Sequence, residues 1–331
     1  MRNSNSIVSC LWAALSAALL FTACQKSTID IPEDQLAHPF EIAAKMDSST
    51  DTKVSMSDSL TLSWDKVVGS ENLWVVAKDK DQGAAFELVK VDGETAVFGL
   101  TNTGSPFEKV FSSALDFNAV YPYTYGASGW MRSLTFNQEL NAFLCDISDR
   151  QVIKDGDNMD KDYLIMLASN ARTSASDPAP VLQFRNAVSL LSFTVESSDI
   201  TRMVVSVNCD LPNGPGTQQD SYYHRRDMIA GPACVFYPSN WAAKGDDWFG
   251  AYLVYDSKTY HRPSYIFNSI TVTREGDQPF EVGKTYYIPV WPGTKSDFSA
   301  TAYHSDGTAG TTKSRESFTC VRSKVHDMKA F

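Results

Sequence analysis

Residues 191–195 read Leu-Ser-Phe-Thr-Val. Leu191, Phe193 and Val195 are apolar, and Ser192 and Thr194 between them are polar. A period of two puts the apolar side chains on one face of an extended chain and the hydroxyls on the other, which marks a half-buried β-strand. Leu60, Leu62 and Trp64 alternate with Thr61 and Ser63 in the same way. Shorter apolar runs follow the style at 73–77, 96–98, 117–123, 164–168, 203–207, 233–237, 251–255, 270–272 and 286–290. They are rich in β-branched and aromatic residues, which fit a pleated, half-buried surface. Gly, Asn and Pro bound them, and Asp92-Gly93 and Asp306-Gly307 read as tight turns. No long helical period occurs. The pattern predicts an all-β protein of sandwiches or barrels.

A chain of 331 residues suits two domains of ordinary size, each able to bury a core without staples. Residues 171–180 are rich in Ser and Pro and lack an apolar period. Prolines deny a segment its ladder hydrogen bonds. The expected domains are therefore 53–177 and 178–331.

The N-terminus points to export. Arg2 is followed by an apolar run over 7–23, too short and too one-sided for a comfortable transmembrane span. It has the shape of a signal peptide over residues 1–23. Phe21-Thr22-Ala23-Cys24 places small residues before a cysteine, as in a bacterial lipoprotein signal, so Cys24 is the expected lipidation site. Acyl chains would hold the mature chain on a membrane, at about 0.8 kcal/mol per buried methylene. Residues 24–52 read as a polar tether in which 36–44 could form a short helix. The expected location is the cell surface, on the outer membrane.

The formal charge is -10, and removing Arg2 with the signal makes it -11. An acidic chain without basic patches is a poor nucleic-acid binder. Export leaves Cys145, Cys209, Cys234 and Cys320, which allow three disulfide pairings or free thiols. No Cys-x-x-Cys suggests zinc. No Gly-x-Ser-x-Gly elbow or phosphate loop occurs, and His38, His224, His261, His304 and His326 are scattered. No cofactor is expected, and no enzymatic centre.

Two clusters could bind. Asp155, Asp157, Asp160 and Asp162 crowd one loop, where carboxylates could hold calcium. Their spacing is not that of an EF-hand, Lys161 sits among them, and a solvated loop before the strand at Leu164 is the favoured account. Tyr222 and Tyr223 stand beside His224, Arg225 and Arg226, and Trp241 and Trp248 stand near Asp246 and Asp247. Such aromatics could stack on a sugar ring or meet an acidic partner. They fall in irregular stretches, where binding residues concentrate.

Several stretches, taken in order, resemble the Bacteroides-type fimbrillin-like lipoproteins. They are Thr52-Lys53-Val54-Ser55, the strand ending in Trp64-Asp65, Ala96-Val97-Phe98-Gly99 and Phe117-Asn118-Ala119-Val120-Tyr121-Pro122-Tyr123. Residues 163–168, 181–187 and 191–195 resemble the central motif of that family, and 283–288 and 321–325 its late strands. The resemblance implies two transthyretin-like β-sandwiches and assembly by strand exchange with other fimbrial subunits. In that family a protease removes the first strand, and the exposed groove accepts a strand from the next subunit. The best-known members are cut after arginine, whereas Lys53 holds that position here, and no Arg lies between Arg2 and Arg132. Lys53 is the expected processing site, 53–64 the expected first strand region and 318–331 the last. An uncut member would suit a tip or anchor, binding a host or bacterial surface ligand. A stand-alone carbohydrate-binding lipoprotein is the alternative, and a hydrolase with an unrecognised site a third.

Overall fold

The computed structural model describes residues 40–46, 64, 71–101, 105–123, 135–137, 142–208, 228–236, 251–252 and 268–331. Among these, strands dominate. The first lobe is built from β1 (Glu41–Met46), β2 (Asn72–Ala77), β3 (Gln82–Asp92), β4 (Thr95–Leu100) and β5 (Asp116–Tyr121), with helix α1 (Ser105–Ser113) between the last two. The chain then gives β6 (Thr135–Asn137), β7 (Ala142–Ile147) and β8 (Arg150–Ile153) to the second lobe. It returns as β9 (Met166–Ala171) and β10 (Leu182–Asn186). The strand order β1-β10-β9-β5-β2-β3-β4 closes on itself, so the first lobe is a barrel of seven strands.

Its core is aromatic. Phe86, Phe98, Phe111, Phe117 and Phe184 are fully buried, and α1 brings Phe111 within 5.1 Å of the Phe86 ring. Arg172 ties the helix end down. Its guanidinium donates to Ala114 O at 2.7 Å and to Phe111 O at 3.2 Å, and it also donates to Asp177 O at 2.8 Å. The expected turn at Asp92-Gly93 joins β3 to β4, with Gly93 at φ 59°, a left-handed value that glycine takes without cost.

The run 117–121 is apolar at nearly every position because both faces of β5 are buried. Phe117 and Ala119 point into the barrel core, while Val120 belongs to the core of the second lobe, with Val76 and Leu167. Trp74 packs against the same second core. Gly83, opposite Val76, makes room for it, since a Cβ there would lie 2.7 Å from the indole Nε1.

The second lobe adds β11 (Ser189–Thr194), β12 (Ile200–Asn208), β13 (Gly231–Phe236), β14 (Ala251–Tyr252) and β15 (Ser269–Arg274). It ends with β16 (Tyr286–Val290), β17 (Gly293–His304), β18 (Ala309–Cys320) and β19 (Val325–Ala330). These form sheets of order β16-β11-β19, β18-β17-β12-β15-β8 and β14-β13-β7-β6. The opening run does form a strand, β11, but not a half-buried one: Leu190, Leu191, Ser192 and Phe193 are all buried, so both faces are covered, and Phe193 meets Phe280 at 5.3 Å and Tyr286 at 5.6 Å.

Three expectations meet a different arrangement. Residues 171–180 do not separate the lobes. They are the loop between β9 and β10, both barrel strands, and Asp177 closes it by accepting from Thr173 Oγ1 at 2.7 Å and Ser174 N at 3.0 Å. The chain leaves the barrel at 187–188, between β10 and β11. Residues 142–165 also lie in the second core, which holds Phe143, Ile147, Ile153 and Tyr163. The Ser- and Pro-rich composition marked a long hairpin loop, which looks like a linker because both are polar and ladder-free. Residues 41–46, placed in the tether, form a strand and not a helix.

Cys145 and Cys320 are buried, and no disulfide joins them to each other. Burial pushes the Cys320 thiol up to about 11, with the Lys295 charge opposing, so it is an unreactive sulfur at neutral pH.

Candidate functional site

β1 is the strand that closes the barrel of the first lobe, between β4 and β10. It pairs antiparallel with β4, Ile42 opposite Phe98 and Ala44 opposite Ala96, and parallel with β10, Ala44 opposite Leu182 and Met46 opposite Phe184. The ladder is extended by Leu100 N donating to Phe40 O at 3.0 Å. Alternate side chains enter the core: Ile42 is 1% exposed and Ala44 is 0%. Phe40, one step earlier, stacks on Phe117 at 6.1 Å and meets Phe111 at 5.9 Å. The short sequence EIAAKM has no strong strand propensity of its own. It is extended because two open edges and a row of core pockets are waiting for it.

Trp64 lies further along the chain, beyond Lys53, and fills the barrel from inside. It is 4% exposed and meets Phe98 at 5.2 Å, Tyr121 at 5.4 Å and Phe184 at 5.9 Å, all edge-on. Its indole Nε1 is buried without a hydrogen-bond partner. Of the expected first strand region 53–64, Trp64 alone lies among the described residues, and the first described strand is upstream of it.

The other end of the chain forms β19. It pairs parallel with β11, Leu190 opposite Val325 and Ser192 opposite Asp327, and among the described residues its other edge carries no strand. Phe331 anchors it: the residue is 6% exposed, its N–H donates to Thr194 O at 2.9 Å and its carbonyl accepts from Glu196 N at 2.7 Å. Lys313 of β18 donates to Met328 O at 2.9 Å and also to Ala330 O, and its ammonium sits 4.3 Å over the Phe331 ring.

β19 also carries a titratable contact. His326 Nε2 accepts from Val321 N at 2.8 Å, and the ring lies 5.3 Å from Phe318. An accepting Nε2 is unprotonated. Burial holds this imidazole below its ordinary value of 6.5, and Lys324 and Arg315 nearby add to the effect. A base with a depressed folded pKa takes up its proton first in the unfolded chain. The stability it contributes is present above the unfolded pKa, near 6.5, and is lost as pH falls below it. The midpoint of denaturant unfolding should therefore drop between about pH 7.5 and about pH 5.5, and His326→Gln should flatten that slope. Equal slopes in the two proteins would exclude His326 as the sensing group.

The expected calcium loop is described. Asp160 Oδ2 accepts from Val152 N at 2.8 Å and its Oδ1 from Asp162 N at 3.2 Å, so it caps the turn at Lys161–Tyr163. Asp157 pairs with Lys161 at 2.7 Å, and Asp155 pairs with Arg274 at 3.0 Å. Among the described residues no group of three or more His, Cys, Asp or Glu side chains is gathered as a metal would need. These carboxylates cap a turn and pair with cations. Cys24, Lys53, Tyr222, Tyr223, Trp241 and Trp248 lie outside the described residues.

No family model matches the chain, and no curated protein matches it. Solved structures to which it is similar come from Bacteroides, Parabacteroides and Porphyromonas and are cell adhesion or fimbrial proteins by name. One is a candidate cell adhesion protein of Bacteroides ovatus, 12% identical, with a TM-score of 0.47, covering 88% of this chain and 91% of the other. A second, from Bacteroides uniformis, is 14% identical with a TM-score of 0.44, covering 90% and 94%. The tip fimbrial protein Mfa3 of Porphyromonas gingivalis is 8% identical with a TM-score of 0.36, covering 88% and 94%.

Proposed function

We propose that this chain is an exported, lipid-anchored surface protein of a fimbria, without a catalytic role, and that its barrel is completed by strand exchange. The observation that carries this reading is the position of β1. It fills the barrel between β4 and β10 and lies upstream of Lys53, while Trp64 lies downstream. A cut at Lys53 would release the lipid on Cys24 and β1 in one step and leave Trp64 with the barrel. The open groove would offer N–H and C=O groups on two edges and core pockets at alternate positions, which is what an incoming strand needs. The closed barrel would become an open two-edged sheet, the form expected of a transthyretin-like sandwich awaiting a donor. Left uncut, the chain keeps its anchor and its own first strand, which suits a tip or anchor subunit.

Surface material from native cells, run on detergent gels with and without boiling and probed for this chain, tests the reading. A ladder that collapses on boiling is the expected result for a strand-exchanged subunit. A single band of full mature size in both lanes would refute exchange into this barrel and leave the chain as an uncut tip or anchor subunit or a free-standing surface lipoprotein.

A further inference from the structure

The alternate residues that lead into and along β1 are Phe40, Ile42, Ala44 and Met46, all packed in the barrel core. One small side chain stands in a row of large ones, and Ala44 is 0% exposed all the same. Opposite it on β4 stands another alanine, Ala96, and on β10 Leu182. Two facing alanines leave volume to be filled, because protein interiors are close-packed. Trp64 fills it.

Register places the indole. Ile42 is opposite Phe98 and Met46 is opposite Phe184, so these two rings mark the levels on either side of Ala44, each about 6.7 Å from it along the strand. Trp64 meets both, Phe98 at 5.2 Å and Phe184 at 5.9 Å, and therefore lies between them, at the level of Ala44. It also meets Tyr121 at 5.4 Å, at the end of β5. Around the seven-stranded barrel β5 stands three places from β1 one way and four the other, so it is the far wall. The indole bridges from that wall to the one that β1 completes. Among the described residues its Nε1 has no hydrogen-bond partner, so the ring acts there as volume.

Chain order separates the two residues that share this level. Lys53 lies between Ala44 and Trp64. A cut at Lys53 would let β1 leave and would keep the indole in the barrel. The floor of the open groove is then uneven: it has room for large apolar side chains at the levels of Ile42 and Met46, and the indole takes the space between. Such a bulk is the repulsive element that specificity needs, since it rejects strands that the neighbouring pockets would accept.

We propose that Trp64 sets the size of the side chain that a strand entering between β4 and β10 can carry at the position of Ala44. The partner this barrel accepts is a strand with large apolar residues at alternate positions, interrupted at that level by a residue no larger than alanine. This rests on strand exchange into the barrel and adds which strand is accepted.

Two measurements decide it. In the intact mature chain, Ala44→Leu should lower the folding equilibrium constant in urea titrations about tenfold or more, because it overpacks a filled core. In a Trp64→Ala background the same change should cost far less or stabilise, since the indole no longer occupies the space. Additive effects of the two substitutions would overturn the inference. The second measurement keeps Trp64 in place. A mature chain carrying the site of a specific endoprotease instead of Lys53 is folded, nicked and offered a labelled peptide FEIAAKM, residues 40–46, with unlabelled competitors. The Ala44→Leu peptide should compete about tenfold or more weakly than the parent. The Ala43→Leu peptide adds the same volume on the other face of the strand and should compete as the parent does. Equal competition by the parent and the Ala44→Leu peptide, or an equal loss from Ala43→Leu, would overturn the inference and leave strand exchange standing. Entry of no peptide, the parent included, would remove exchange into this barrel and the partner strand with it.

Discussion

A chain that begins at Val54 is expected to fail as a stable monomer and to recover when a peptide of sequence FEIAAKM, residues 40–46, is added. The reason is what β1 contributes. It supplies one side of two ladders, five register pairs with β4 and three with β10. It also fills the core with Phe40, Ile42 and Ala44. Burying a large apolar side chain stabilises by about 1.5–3 kcal/mol, and each ladder hydrogen bond adds about 1 kcal/mol net. The sum approaches the net stability of an ordinary domain, about 5–15 kcal/mol. Without β1, the backbone groups of β4 and β10 face water on one side, and Phe98 and Phe184 lose their cover. Such edges pair with any strand in reach. Size-exclusion chromatography of the truncated chain should show oligomers or aggregate, and the peptide should restore a monomer with a cooperative melt. A truncated chain that stays monomeric with an unchanged melting midpoint would remove both the role given to β1 and the strand-exchange proposal. Ile42→Asp within the peptide should abolish rescue, because it places a charge where a residue 1% exposed must pack.

The legible parts of this fold were those where one strand's own pattern suffices. The alternation at 191–195, the runs at 73–77, 117–123 and 286–290, and the turn at Asp92-Gly93 all carry their signal locally, and the strands stand where that signal puts them. β1 was not legible. Glu41-Ile42-Ala43-Ala44-Lys45 is short and alanine-rich, and two neighbouring edges override its preference for a helix. The lobe boundary was misread for a related cause. Residues 142–165 join the second core through pairings with β13 and β15, far along the chain, and no local composition announces such a pairing. The acidic loop shows the opposite case: Asp155, Asp157 and Asp160 are close in sequence, yet their carboxylates turn to different partners. Nearness along the chain fixes little about convergence when each group can satisfy itself locally.

Trp291→Ala is expected to be the most damaging single substitution in the second lobe. The residue is 1% exposed, and it follows directly on β16. Its indole Nε1 donates to Gly231 O at 2.7 Å, and its backbone N–H donates to Ile229 O at 3.2 Å. Four residues further, the fully buried Lys295 donates from Nζ to Met228 O at 2.6 Å and to Pro292 O at 3.3 Å. Residues 228–231, all buried, are thus held against the end of β16 and the start of β17 by polar contacts at the carbonyls of Met228, Ile229 and Gly231. Truncating a buried tryptophan costs about 3–5 kcal/mol through lost burial and the cavity it leaves. A carbonyl at Gly231 without its donor adds about 1–3 kcal/mol. Trp291→Phe keeps most of the volume and should lose mainly the second contribution. Lys295→Met is the contrasting case. It leaves Met228 O without this donor but also removes a charge that was costly to bury, so its loss should be the smaller of the two. Urea unfolding of the three variants decides the matter. If Trp291→Ala shifted stability by less than about 1 kcal/mol, residues 228–231 would not be held as described, because nothing else about the substitution could conceal a cavity of that size.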